Sequence, residues 1–94
     1  MLLENFQSFS YASDVEIDRD AFCSLLSKLP KEIIRAKGFL KTPEGGLLVN
    51  YVFGRFEFEP FLCDKNEIVF IGLDALDHKD KVIKEIKATE VAGS

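Results

Sequence analysis

The sequence predicts an α+β domain: a mostly antiparallel sheet with two helices packed on one face, in the order β-α-β-β-β-β-α. Three observations carry this. Apolar residues alternate at period two through the middle of the chain, with Ile34, Ala36, Gly38 and Leu40 on one side and Arg35, Lys37, Phe39 and Lys41 on the other. Phe22, Leu25, Leu26 and Leu29 recur at helical spacing. Pro43-Glu44-Gly45-Gly46 and Gly54 punctuate successive strand-like runs as turns. With 94 residues, 47% apolar side chains and nine phenylalanines, the chain fits one domain, 1–94, with no room for a second.

Taken in order, Phe6 to Ala12 reads as a strand, with Phe9 and Tyr11 on one face. Asp18 is placed as the N-cap of the first helix, because Ile17 before it and Phe22 after it occupy the two positions of a hydrophobic staple. Pro30 ends that helix. Glu32 to Thr42 is a long strand with one basic face, and it forms a hairpin with Leu47 to Phe53. Arg55 to Phe61 follows, Phe56 and Phe58 alternating with Arg55, Glu57 and Glu59. Cys63-Asp64-Lys65-Asn66 is a loop. Glu67 to Gly72 has almost no polar content, as expected of a central strand buried on both faces. A last helix is expected after Leu73 to Asp77, capped by Asp77, with Val82, Ile83 and Ile86 inward and the pairs Asp80 with Lys84 and Lys81 with Glu85 outward. The tail from Ala88 to Ser94 is expected to fray.

Composition narrows the function classes. A formal charge of −4 and a pI near 4.9 repel phosphate backbones and anionic lipid, so neither nucleic acid nor a membrane is an expected partner. No run approaches the length needed to span a bilayer, and the N-terminus lacks the basic flank and apolar run of a secretory signal. Cys23 and Cys63 fit no disulfide or zinc-finger spacing, and the chain reads as cytoplasmic with reduced thiols.

No catalytic constellation stands out. The phosphate-cradling loop needs two glycines four residues apart followed by Lys and Ser or Thr, and Gly45-Gly46 is followed by two leucines, which suits a hairpin turn. Lys37-Gly38-Phe39 copies the opening of an RNA-recognition signature, but Leu40 and Lys41 break it. Cys63, Asp64 and His78 are the plausible metal ligands outside the main elements, set against a bland reading as loop thiol, turn aspartate and solvated histidine. Cys23 with His78 as base is the remaining nucleophile candidate, against a structural cysteine in a helix. Glu57 and Glu59 share a strand face with Arg55, and cross-strand ion pairing with Arg35 and Lys37 is expected there. The Arg35, Lys37 and Phe39 face is left as the candidate partner surface.

The blocks Phe6-Gln7-Ser8-Phe9-Ser10-Tyr11, Leu29-Pro30, Arg35-Ala36-Lys37-Gly38-Phe39-Leu40 and Ile68-Val69-Phe70-Ile71-Gly72-Leu73-Asp74, in this order and spacing, resemble the C-terminal domain of CobW-type proteins, which are cobalamin-synthesis-related, GTP-dependent metal chaperones. The chain departs from many of them in carrying Lys41 after Phe39-Leu40 and in lacking tryptophan. The resemblance implies a non-catalytic accessory domain, excised or stand-alone, without the P-loop GTPase domain. GTP, Mg and Zn or Co are then expected only for a parent protein and no cofactor for this domain. The implied partners are the GTPase domain and a client metalloprotein. A metal-binding module using Cys63, Asp64 and His78 is the alternative.

Overall fold

The computed structural model describes residues 6–91; the expectations for the extreme N-terminus and for 92–94 lie outside the described residues. Five strands, β1 (Phe6–Ser13), β2 (Ile33–Thr42), β3 (Gly45–Val52), β4 (Arg55–Pro60) and β5 (Asn66–Leu73), form one sheet in the order β1-β5-β2-β3-β4. Every pairing is antiparallel. Because β1 and β2 both run against β5, they are parallel to each other, and the last strand is inserted between the first two. The connection from β1 to β2 is helix α1 (Arg19–Ser27), and α2 (Lys79–Lys87) follows β5 after a 3-10 turn over Ala75–His78.

The inward side chains of the sheet and one stripe of each helix make a single core. Phe9 on β1 stacks on Phe70, its register partner on β5, with ring centroids 5.1 Å apart. Phe22, Leu26, Val82 and Ile86 close over this layer from the helices, all essentially without solvent exposure. Helix α1 starts as the sequence predicts: Asp18 accepts a hydrogen bond from the Ala21 amide at 3.0 Å, and Ile17 and Phe22 are both fully buried. Such a cap stabilises a helix by about 1 kcal/mol. At the same end the Arg19 guanidinium lies 5.5 Å from the centre of the Phe58 ring on β4, so α1 reaches across to the far edge of the sheet.

Several expectations are corrected. Strand β5 is central, but it is buried on one face only: its residues alternate strictly, and Val69, Ile71 and Leu73 remain 40%, 38% and 37% exposed. Both helices pack on the opposite face, so a nearly continuous apolar run here marks an uncovered surface instead of a second buried one. In β2 a bulge between Ile33 and Arg35 turns Ile33 into the core in place of Ile34. Asp77 does not cap α2; it sits inside the 3-10 turn, and α2 begins after His78 without a side-chain cap. The segment after α2 is anchored up to residue 91. Ile17 and Glu90 form an antiparallel bridge, the Val91 amide donates to the Glu16 carbonyl at 2.8 Å, and Thr89 is buried.

Candidate docking face

The face of the sheet turned away from the helices is assembled by register alone. One row across it runs Ser8, Ile71, Arg35, Val52, Arg55, and the next runs Ser10, Val69, Lys37, Asn50, Glu57. A third runs Ala12, Glu67, Phe39, Leu48, Glu59. Arg35, Lys37 and Phe39 therefore share one strand of an open surface, as their alternation in sequence requires. To one side lies the half-exposed aliphatic strip of β5, continued by Phe6 on β1; to the other lies β3. Phe39 is half-buried because its ring meets Phe61 at 5.6 Å between centroids.

The expected cross-strand ion pairs are not made. Among the described residues the ion pair found joins His78 Nε2 to Glu32 Oε1 at 3.5 Å, and none links Arg35, Lys37 or Arg55 to Glu57 or Glu59. Topology is the reason. Strand β3, which carries Leu48, Asn50 and Val52 on this face, separates β2 from β4, so the opposite charges never stand directly across from each other. The outer charges of α2 likewise keep their four-residue spacing without closing into ion pairs. The face is consequently graded along the strands, with Arg35 and Arg55 in the row nearest the β3–β4 turn, Lys37 and Glu57 sharing the next row, and Glu59 and Glu67 in the row beyond.

The three metal-type residues do not come together. Cys63 Sγ lies 3.2 Å from the Leu40 carbonyl, near the end of β2, whereas His78 contacts Glu32, just before its start. Eight residues of extended chain separate these points, on the order of 25 Å. Asp64 is exposed in the loop beside Cys63, and no group of three or more metal-ligating side chains converges among the described residues. Cys23 is half-buried on α1, and burial pushes its thiol above the ordinary value, against the lowering effect of Arg19 and with a further raising effect of Asp20. That is the opposite of what an activated nucleophile needs.

Two residues that sequence reasoning passed over matter to this surface. Asn66 is fully buried; its Oδ1 accepts from the Lys41 amide at 2.6 Å, and its Nδ2 donates to Ser13 Oγ at 2.9 Å and to the Val15 carbonyl at 2.6 Å. It ties β5 to β2 and to the segment after β1, and only its position at a strand start, next to turn residues, hinted at a side-chain clamp. Phe53 closes the β3–β4 hairpin with Gly54, and both have positive φ, +49° and +86°. The legible signal was a phenylalanine at the first position of a two-residue hairpin turn, where Asn or Asp before Gly is the favoured choice.

With this geometry in hand, comparison with known proteins decides the family. The family model described as cobalamin synthesis protein cobW C-terminal domain matches residues 6–89. The chain belongs to the CobW C-terminal domain family. Among solved structures, the CobW C-terminal fold of this chain is similar to the Zn(II)-bound YjiA GTPase from E. coli, with a TM-score of 0.73 at 15% identity over 93% of this chain. A Zn(II)-bound triple mutant of YjiA GTPase gives a TM-score of 0.76 at 16% identity, also over 93%. The chain spans 30% of the length of each of those chains. A search of curated protein sequences found no match.

Proposed function

We propose that this chain acts as the non-catalytic interaction domain of a CobW-type, GTP-dependent metal chaperone, its open sheet face docking the P-loop GTPase domain or a client metalloprotein. GTP, Mg and the Zn or Co cargo are then handled outside this domain, whose own Cys63, Asp64 and His78 are too far apart to serve as a ligand set. The single observation that carries the reading is the uncovered sheet face. A domain of this size has buried its other sheet face under two helices, yet it leaves Val69, Ile71 and Leu73 more than a third exposed beside three cations without ion-pair partners among the described residues. An apolar centre bordered by arginine is the composition of a protein interface.

The test is to mix the chain with the P-loop GTPase domain of a CobW-type protein and measure binding by calorimetry, with Ile71→Glu as the variant. Ile71 is exposed on a strand whose inward neighbours stay intact, so the substitution leaves the core in place. Binding that Ile71→Glu abolishes supports the reading. Binding unaffected by it, or specific GTP binding by the isolated chain, rejects it.

A further inference from the structure

The corner of the open face nearest the β3–β4 turn has a feature that the fold does not require. Phe53 adopts φ +49° and leaves 73% of its surface exposed. The left-handed region disfavours any residue with a bulky side chain, and a ring this exposed gains little from burial in return. Asparagine would satisfy the same turn without strain. In the row next to the turn, Arg35 and Arg55 are both register partners of Val52, one on each side of it, so their strands are about 10 Å apart. Among the described residues neither guanidinium has an ion pair, and Lys37 stands one row further along β2. A shallow groove of about 370 Å3 runs here, lined by Asn50, Val52, Phe53, Arg55 and Glu57.

We propose that this corner is the anchor of the docking face and that its occupant is an acidic, apolar-faced protein segment. Phe53 inserts between the partner's apolar side chains, and the partner's carboxylates bridge Arg35 and Arg55. The inference rests on the docking reading above and names the chemistry of what docks. Charge complementarity selects an acidic partner: the two rows nearest the turn carry three cations, Arg35, Arg55 and Lys37, against one carboxylate, Glu57, in a chain whose overall charge is −4. Aromatic and arginine side chains are also the types that dominate binding energy at interfaces. The acidic row beyond, with Glu59 and Glu67, fixes the direction in which such a segment lies, because a carboxylate placed there meets like charge.

The probe is a short synthetic peptide alternating leucine and glutamate, compared with the same peptide carrying lysine in place of glutamate and followed by backbone amide NMR shifts. The glutamate peptide is expected to perturb positions 35, 52 to 55 and 71, and the lysine peptide to leave them unmoved. Phe53→Asn is the discriminating variant. It should raise the midpoint of thermal unfolding by relieving the turn and weaken peptide binding by about tenfold or more, a combination that a purely structural role for Phe53 would not give. Arg35→Glu should weaken binding similarly. Equal binding of both peptides, no binding of the glutamate peptide, or an affinity unchanged in Phe53→Asn overturns the inference. A GTPase domain that binds wild type and Phe53→Asn equally, yet is lost with Ile71→Glu, overturns the anchor and leaves the docking reading standing. Glutamate-peptide binding without any GTPase-domain binding supports the anchor and removes that domain as its occupant.

Discussion

Gly38 on β2 lies opposite Ile68 on β5, and a Cβ added at position 38 would stand 2.6 Å from the Ile68 Cα. At the other end of the same pairing the roles are exchanged: Gly72 on β5 is opposite Ile33 on β2, and a Cβ there would stand 2.8 Å from the Ile33 Cα. Each strand thus supplies one glycine over which its partner's backbone closes. The obstructing atoms are backbone, so no flexible side chain can swing away. Gly38→Ala is expected to lower stability by about 2–3 kcal/mol, seen as a lower urea midpoint with an unchanged slope. An unaltered midpoint would mean that the strands separate without penalty and that the close approach is incidental.

Asn66 gives the second prediction. Replacing it with leucine removes the acceptor for the Lys41 amide and the donor to Ser13 Oγ and the Val15 carbonyl, all at a site without solvent access. Each buried polar group left without a partner costs about 1–3 kcal/mol. The expected result is a loss of several kcal/mol by chemical denaturation, with amide exchange accelerating first at Lys41. Asn66→Asp keeps the acceptor but not the donor, and should lie between wild type and leucine.

How much of this was legible in the sequence follows from what each signal encodes. The period-two alternation placed Arg35, Lys37 and Phe39 together on one face, and the staple of Ile17 and Phe22 around Asp18 located the first helix, because both depend on neighbours close in sequence. Strand order does not. Val69 and Ile71 read as doubly buried, since an apolar run reports hydrophobicity and not whether a second layer exists to cover it. The expected ion pairs between β2 and β4 failed because β3 lies between them, a fact of topology. The role of Gly38 and Gly72 as mutual close contacts appears only once β5 is inserted beside β2.

Tyr11 supplies a pH dependence. Burial first of all, then Glu90, pushes its hydroxyl up from 10.0 to about 12, while Ser13 acts in the opposite direction. The hydroxyl is 2.7 Å from Ser13 Oγ and donates to Glu90 Oε2 at 2.9 Å, linking β1 to the segment after α2. Between pH 10.0 and about 12 the unfolded chain loses this proton before the folded one, so folding stability falls as pH rises through that window. Tyr11→Phe should be less stable than wild type at neutral pH, through the lost hydrogen bond, and should show a shallower alkaline decline. Equal alkaline slopes in wild type and Tyr11→Phe would place the decline on other groups.

Cys23 yields a kinetic prediction that bears directly on whether this chain carries a nucleophile. Burial raises its thiol above 9.0, and Arg19, one turn earlier on the helix, offsets part of that. Alkylation proceeds through the thiolate, so in a Cys63→Ser background, which keeps a donor to the Leu40 carbonyl, iodoacetamide should modify folded Cys23 more slowly than the guanidinium-unfolded chain at pH 7. Removing the positive charge with Arg19→Ala should slow the folded reaction further, and Asp20→Asn should speed it. The rate should climb through the alkaline range without levelling near neutrality. Folded Cys23 reacting faster than the unfolded thiol at pH 7 would instead mark it as activated, and would count against the proposed non-catalytic role.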